Sequence, residues 1–217
     1  MRNRKLVISV VFSSYLVLVL IFSVVIPTFS RFKSGIDNQE WDGLIASGFK
    51  SGTGTEQDPF IISTPNEFAY FANSMNNNNY ENQYIKLTKD IVINKGVFKN
   101  NTYIYDDVTY YLGNNNKYYE EDTLQTEAGS IKILPIIEGF KGHFDGNFHT
   151  IYGLYEKDNN KNALFVDFNG ELKNLYLDNT YITGGYITAG VVADANNATI
   201  KNVLFNGTVI GNTNTKQ

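Results

Sequence analysis

Apolar and polar residues follow one another along this chain in several distinct rhythms. Residues 6–30, "LVISVVFSSYLVLVLIFSVVIPTFS", carry no charge at all. Their apolar part, 6–29, is long enough as a helix rising about 1.5 Å per residue to cross a hydrocarbon core of about 30 Å. Further on, "TPNEFAYFANSMN" sets Phe68, Phe71, Ala72 and Met75 at helical spacing on one face. Thr64 as N-cap, Pro65 in the first helical position and Glu67 three residues after the cap complete a capping box, so a helix over 64–75 is predicted. A short strand at 60–62 precedes it, after a turn at Asp58-Pro59. "QYIKLTKDIVI" at 83–93 alternates with the two-residue period of a second strand.

From Phe140 onward the pattern changes to short apolar strands separated by Gly and Asn, and it repeats. "ELKNLYLDNTYITGG" (171–185) is followed 28 residues later by "TIKNVLFNGTVIGN" (199–212). Lys173/Lys201, Asn174/Asn202, Thr180/Thr208 and Ile182/Ile210 match, and Leu172/Ile200, Leu175/Val203 and Leu177/Phe205 are apolar in both. A third copy, 150–155, aligns with 171–176 at a spacing of 21, and "ALFVD" (163–167) recurs as "GVVAD" (190–194) at 27. Such periods with several short strands predict a solenoid. A leucine-rich repeat has a similar period but expects a helical segment in each turn, whereas both halves of these repeats read as strands. A parallel β-helix is therefore predicted. The three-residue step from Leu172 to Leu175 breaks strict alternation. A bend at Asn174 restores it, and stacking then sets Asn202 over Asn174 about 4.8 Å away, an amide ladder.

Between these regions, 96–130 is an insertion rich in Tyr and Asn, with two aromatic strips flanking Gly113-Asn114 as in a β-hairpin. Tyr103, Tyr105, Tyr110, Tyr111, Tyr118 and Tyr119 crowd into it beside amides and acids. Flat rings with polar tips suit stacking on sugars or docking a surface protein, so these six are the ligand-binding candidates. The plainer alternative is that they pack back on the coil as a satellite core.

Charge sharpens the picture. Five cations and no anion precede residue 36, leaving 13 cations against 22 anions afterwards, a net −9. A surface so acidic repels phosphate backbones and disfavours nucleic acid as a partner. Arg2, Arg4 and Lys5, the cationic flank at 1–5, keep the N-terminus inside by the positive-inside rule, so the chain after Arg31 is expected outside. Residues 6–30 then read either as a signal anchor or as a cleaved signal peptide, giving a single-pass membrane protein or a secreted one. Residues 31–50 read as a linker, with Trp41-Asp42-Gly43 as a start of the fold within it, and 51–217 as the β-helix domain. With no cysteine, disulfides and thiolate metal sites are excluded.

Taken in order, "GTGTEQDPFIISTPNEFAYFANSMN", "YIKLTKDIVI", "FKGHFDGNFHTIYGLY" and "ALFVDFNGELKNLYLDNTYITGG" resemble bacterial cell-surface proteins built from GLUG-type repeats. The likeness spans roughly 41–212 apart from the insertion. It implies a right-handed parallel β-helix with an N-terminal capping helix, an adhesin-like role, and no catalytic residues to carry over.

Candidate chemistry is sparse. Asp167 and Asp194 hold equivalent repeat positions, which stacking brings roughly 5 Å apart. That separation suits a retaining glycosidase pair or a calcium ion, but no supporting Arg or Lys repeats on that face, and two solvated strand-end aspartates are the plainer reading. His143 and His149 flank an expected turn at Asp145-Gly146, without metal-ligand spacing. Ser51-Gly52-Thr53-Gly54 lacks the Lys-Ser/Thr of a phosphate loop. The expected function is a non-catalytic surface binding module. A carbohydrate-active enzyme and a structural spacer are the alternatives, and no cofactor is required.

Overall fold

The computed structural model describes residues 39–158 and 160–211. The cationic flank, the apolar stretch at 6–30 and the first part of the 31–50 linker lie outside these residues. Among those described, no helix is long and apolar enough to cross a membrane. The folded body has already begun at Glu40 and Trp41, within the stretch read as linker. Trp41 is 5% exposed and its backbone N–H donates to Val92.

The chain is an all-β solenoid with one helix. Strand β1 (Phe60–Ile62) leads into α1 (Pro65–Ser74), then β2 (Tyr84–Leu87) and β3 (Ile91–Val92). After the insertion come β9 (Ile137–Glu138), β10 (His143–Tyr152), β11 (Tyr155–Asp158), β12 (Lys161–Asn162) and β13 (Phe165–Phe168). One further coil follows as β14 (Glu171–Gly184), β15 (Ile187–Thr188) and β16 (Val192–Ala195), and β17 (Thr199–Ile210) stacks on β14. Every coil-to-coil pairing is parallel. Phe60, Ile85, Phe144, Leu172 and Ile200 consequently stand in one column along the axis.

The helix forms as its sequence dictates. Thr64 Oγ1 accepts from Glu67 N at 3.2 Å, and Glu67 Oε2 accepts from Thr64 N at 3.1 Å. Its inner face then meets the coil core through Phe71 against Phe140, rings at 5.6 Å and 90°, and Phe68 against Phe144 at 6.4 Å.

Leu172, Leu175 and Leu177 are all fully buried, because Asn174 at φ 52° turns the strand between the first two. A second bend at Asn179, φ 51°, lets β14 continue around the next corner to pair with β11. That bend costs β17 one residue of register. Thr180 pairs with Gly207 and Ile182 with Val209, one position off the sequence alignment, whereas Leu172/Ile200 and Leu177/Phe205 pair as predicted.

The third copy is corrected. Glu171 stacks on His143 at a spacing of 28 and Tyr176 on Thr150 at 26, not Glu171 on Thr150 at 21. Strand β10 holds two extra residues between Asp145 and His149, with Asn147 and Phe148 at φ 49° and 61°. Asp145-Gly146 is likewise within the strand and is not the expected turn. Gly146 is required there because a Cβ would come within 2.5 Å of Asn174 O on the next coil.

The insertion folds as a five-stranded antiparallel meander, β4 (Val97–Lys99), β5 (Thr102–Tyr105), β6 (Val108–Leu112), β7 (Lys117–Tyr119) and β8 (Glu127–Ser130). The hairpin read at Gly113-Asn114 is its β6–β7 turn. Asn94, 1% exposed, pins both ends of the insertion: its side-chain N–H donates to Lys132 O and Gly153 O, and its Oδ1 accepts from Lys132 N.

Candidate functional site

The repeat aspartates meet, but around a cation. Asp167 and Asp194 both lie at left-handed backbone, φ 50° and 56°, flanking the paired Val166 and Ala193. Lys161 Nζ reaches Asp167 Oδ1 and Asp194 Oδ2 at 2.6 Å each. No Lys repeats on this face, as the sequence indicated, but one unrepeated lysine serves both acids. The sequence hid it because Lys161 does not repeat; it reaches both coils from a corner six residues before Asp167. The hydrogen bond from Lys161 holds the Asp167 carboxyl below its ordinary range, and the two carboxylates hold the ammonium above its own. An ammonium of the chain itself thus stands between the two acids.

The six tyrosines divide between the two faces of the meander. Tyr103 is 3% exposed, and its hydroxyl accepts from Gly96 N. It packs with Phe98, Leu112, Ile131, Tyr155 and Tyr181, with Tyr105, Tyr110 and Tyr118 on the margin of the same cluster. Tyr103, Tyr105, Tyr110 and Tyr118 are thus a satellite core whose rim remains half-buried. Tyr111 and Tyr119 pair across β6 and β7 on the other face.

The histidines are not turn residues. Each is half-buried on a strand and takes a carboxylate from a neighbouring coil or loop. His143 Nδ1 lies 2.9 Å from Glu171, with Tyr84 stacked on its ring at 4.2 Å, and His149 Nδ1 lies 3.0 Å from Asp90. Among the described residues no group of three or more His, Asp or Glu is placed to hold a metal ion. A cleft of about 420 Å³ at the start of α1 is lined by Asp42, Ser63, Thr64, Asn66 and Asp90. Its backbone and amide donors are largely committed, with Lys89 also in the lining: Glu67 takes Ser63 N and Thr64 N, and Asp42 takes Leu44 N and Asn66 Nδ2.

The outer face of β10, β14 and β17 is different. Two ladders run along it parallel to the solenoid axis. In the first, Asn202 Nδ2 donates to Asn174 Oδ1 and Asn174 Nδ2 to Asp145 Oδ1, both at 3.0 Å. In the second, Asn206 Nδ2 donates to Asp178 Oδ1 at 2.7 Å, beside Tyr152 on the coil below. Burial, and then the charge of Asp178, pushes the Tyr152 phenol up to about 12, so it stays protonated. Between the ladders lies an apolar ridge, one residue per coil. Phe148 is 54% exposed and 6.3 Å from the half-buried Tyr176, and Leu204, paired with Tyr176, is 48% exposed.

Beside the second ladder the insertion leans in and makes a groove of about 290 Å³, lined by Val97, Phe98, Tyr152, Asp178, Asn206 and Thr208 among others. Asn179 fixes that wall, accepting from Phe98 N at 2.8 Å and donating to Gly96 O at 2.6 Å. The roles of Asn179 and Phe148 are not legible in the sequence. One is an asparagine among 28, and the other sits in a bulge that only the register reveals.

No family model matches the chain, and neither does a curated protein or a solved structure.

Proposed function

We propose that this chain is a non-catalytic binding module displayed outside a membrane, with a right-handed parallel β-helix that offers its outer face to a ligand. The observation that carries this reading is the ridge between two ladders. Its polar side chains are held from coil to coil before any ligand arrives, while its apolar residues stay open to solvent. Preorganisation of that kind lowers the entropy cost of binding. The Lys161 ammonium held between Asp167 and Asp194 speaks against hydrolysis. Right-handed winding follows from the handedness of parallel crossovers. The uncharged stretch at 6–30 behind three cations supports an address outside the membrane, as anchor or as cleaved signal, and the GLUG-type likeness of the repeats points to a cell surface.

The test uses cells that express the full chain, assayed for retention on immobilised glycoproteins and for release of fragments from polysaccharides. Retention above that of control cells, without fragments, is expected. Fragment release would replace this reading by a carbohydrate-active enzyme. Absence of both retention and release would leave a spacer.

A further inference from the structure

We infer that the outer face of β10, β14 and β17 binds a neutral, linear oligosaccharide lying along the solenoid axis. This inference rests on the binding-module reading and names the ligand class at that same face.

Four observations converge. First, the ridge supplies one apolar contact per coil, Phe148, then Tyr176, then Leu204. Coils stack about 4.8 Å apart, a spacing comparable with the repeat of an extended pyranose chain. Sugar rings have flat C–H faces that pack on such surfaces, and their hydroxyls point sideways.

Second, the sides of the ridge carry hydroxyl-matching groups. Asp178, held by N–H donors from Asn179 and Asn206, is an acceptor, Asn206 brings an exposed amide, and the protonated Tyr152 sits next to Asp178. Third, the groove under Val97 and Phe98 holds about 290 Å³. That is just below the usual range for small-ligand sites, about 300–1,000 Å³, which leaves space for one sugar unit while the rest of the chain lies on the open ridge. Fourth, charge selects against acidic sugars. Asp178 stands in the groove, and the sequence after residue 36 has a net charge of −9.

Phe148 adds weight. A bulky residue at φ 61°, half open to solvent, is an uncommon conformation that neighbouring structure must enforce. Its ring is thereby set beside Tyr176, centroids 6.3 Å apart.

The experiment presents defined tetrasaccharides of glucose, galactose and mannose, alongside uronic-acid and sulfated counterparts, to cells displaying the full chain. Binding of at least one neutral tetrasaccharide is expected. Phe148→Ser should weaken it tenfold or more, and a Tyr111→Ser/Tyr119→Ser double variant on the far face of the meander should not. Three results would each overturn the inference: preference for the charged sugars, equal binding by Phe148→Ser, or no neutral sugar bound. If glycoprotein-coated surfaces still retain the cells after removal of their glycans, the ligand is a protein. The glycan inference then fails and the binding-module reading stands. Loss of all retention removes both.

Discussion

Asn202 donates to Asn174 at 3.0 Å from 28 residues away in sequence, and Asn174 passes a second bond of the same length to Asp145. The two asparagines share a left-handed backbone at φ 52°. One residue type therefore meets two demands at this corner: it tolerates the bend, and its amide closes the ladder. Asn174→Ala removes both and is expected to cost about 2 kcal/mol, from two part-exposed hydrogen bonds and a strained backbone. Asn174→Gly keeps the bend and loses only the ladder, so its loss should be smaller. Denaturant midpoints of the two variants check the order. A glycine variant weaker than the alanine one would mean that the bend contributes nothing.

Asn94 holds the two ends of the insertion together from a buried position. Asn94→Leu fills the space but orphans Lys132 N, Lys132 O and Gly153 O. At about 1–3 kcal/mol for each unsatisfied buried group, a loss of about 3 kcal/mol or more is expected. The damage should begin locally. Amide exchange in 97–130 should rise before the coil loses protection, and uniform exchange throughout would contradict a separately anchored meander.

How far this architecture could be read beforehand follows from where the coils are equal in length. Leu172 and Ile200 align by eye because nothing is inserted between their coils, and the Asn174 bend is spelled out by the broken alternation. Asn147 and Phe148 lengthen β10 by a bulge, so the true partner of Glu171 was missed and an accidental likeness at Thr150 took its place. The ridge was hidden with it, since Phe148 cannot be placed over Tyr176 without the register. The tyrosine cluster was visible as composition, but which rings turn inward depends on where the meander lands, and that is set by Asn94 and Asn179. Lys161 belongs to no repeat, so its bridge exists only once two coils have stacked.

That bridge makes a titration testable. Asp167 is depressed below its ordinary 3.8, first by the hydrogen bond from Lys161. A depressed acid contributes stability above its unfolded value, and that contribution fades as pH falls through the lower folded value. Lys161 is raised above 10.5, first by its hydrogen bond to Asp167, so its contribution is present below 10.5 and fades as pH rises through the folded value. Lys161→Met should move Asp167 upward, because the facing Asp194 then repels its charge without compensation. Carboxyl carbon shifts followed by NMR read this directly. An unmoved Asp167 would mean that the ammonium does not set its titration.

Tyr152 and Tyr155 extend the argument to alkaline pH. Burial first, then Asp178 for one and Tyr181 for the other, pushes both phenols up to about 12. For an acid whose folded value is raised, stability is complete below the unfolded value of 10.0 and declines as pH climbs from there toward 12. Phenolate absorbance should therefore lag for these two, as for the buried Tyr103, until the fold opens. Asp178→Asn removes the charge that helps burial hold Tyr152 neutral, so it should ionise at lower pH while Tyr155 does not move.

Thr180 offers the clearest case of stability left unclaimed. It is 1% exposed, and its Oγ1 has no hydrogen-bond partner among the described residues. Gly207 on the next coil closes over it: a Cβ there would come within 2.3 Å of Thr180 O and 2.9 Å of Thr180 Cβ. The hydroxyl is thus desolvated without compensation, and a methyl group of similar size would lack that penalty. Valine also favours the pleated, half-covered surface of a strand. Thr180→Val should accordingly stabilise the fold by about 1 kcal/mol, whereas Gly207→Ala should destabilise it by forcing β17 away from β14. Thermal melts of both variants separate the two effects. A Thr180→Val variant that melts below the wild type would show that the hydroxyl has found a partner, such as an enclosed water, and that the close cover by Gly207 serves to hold it.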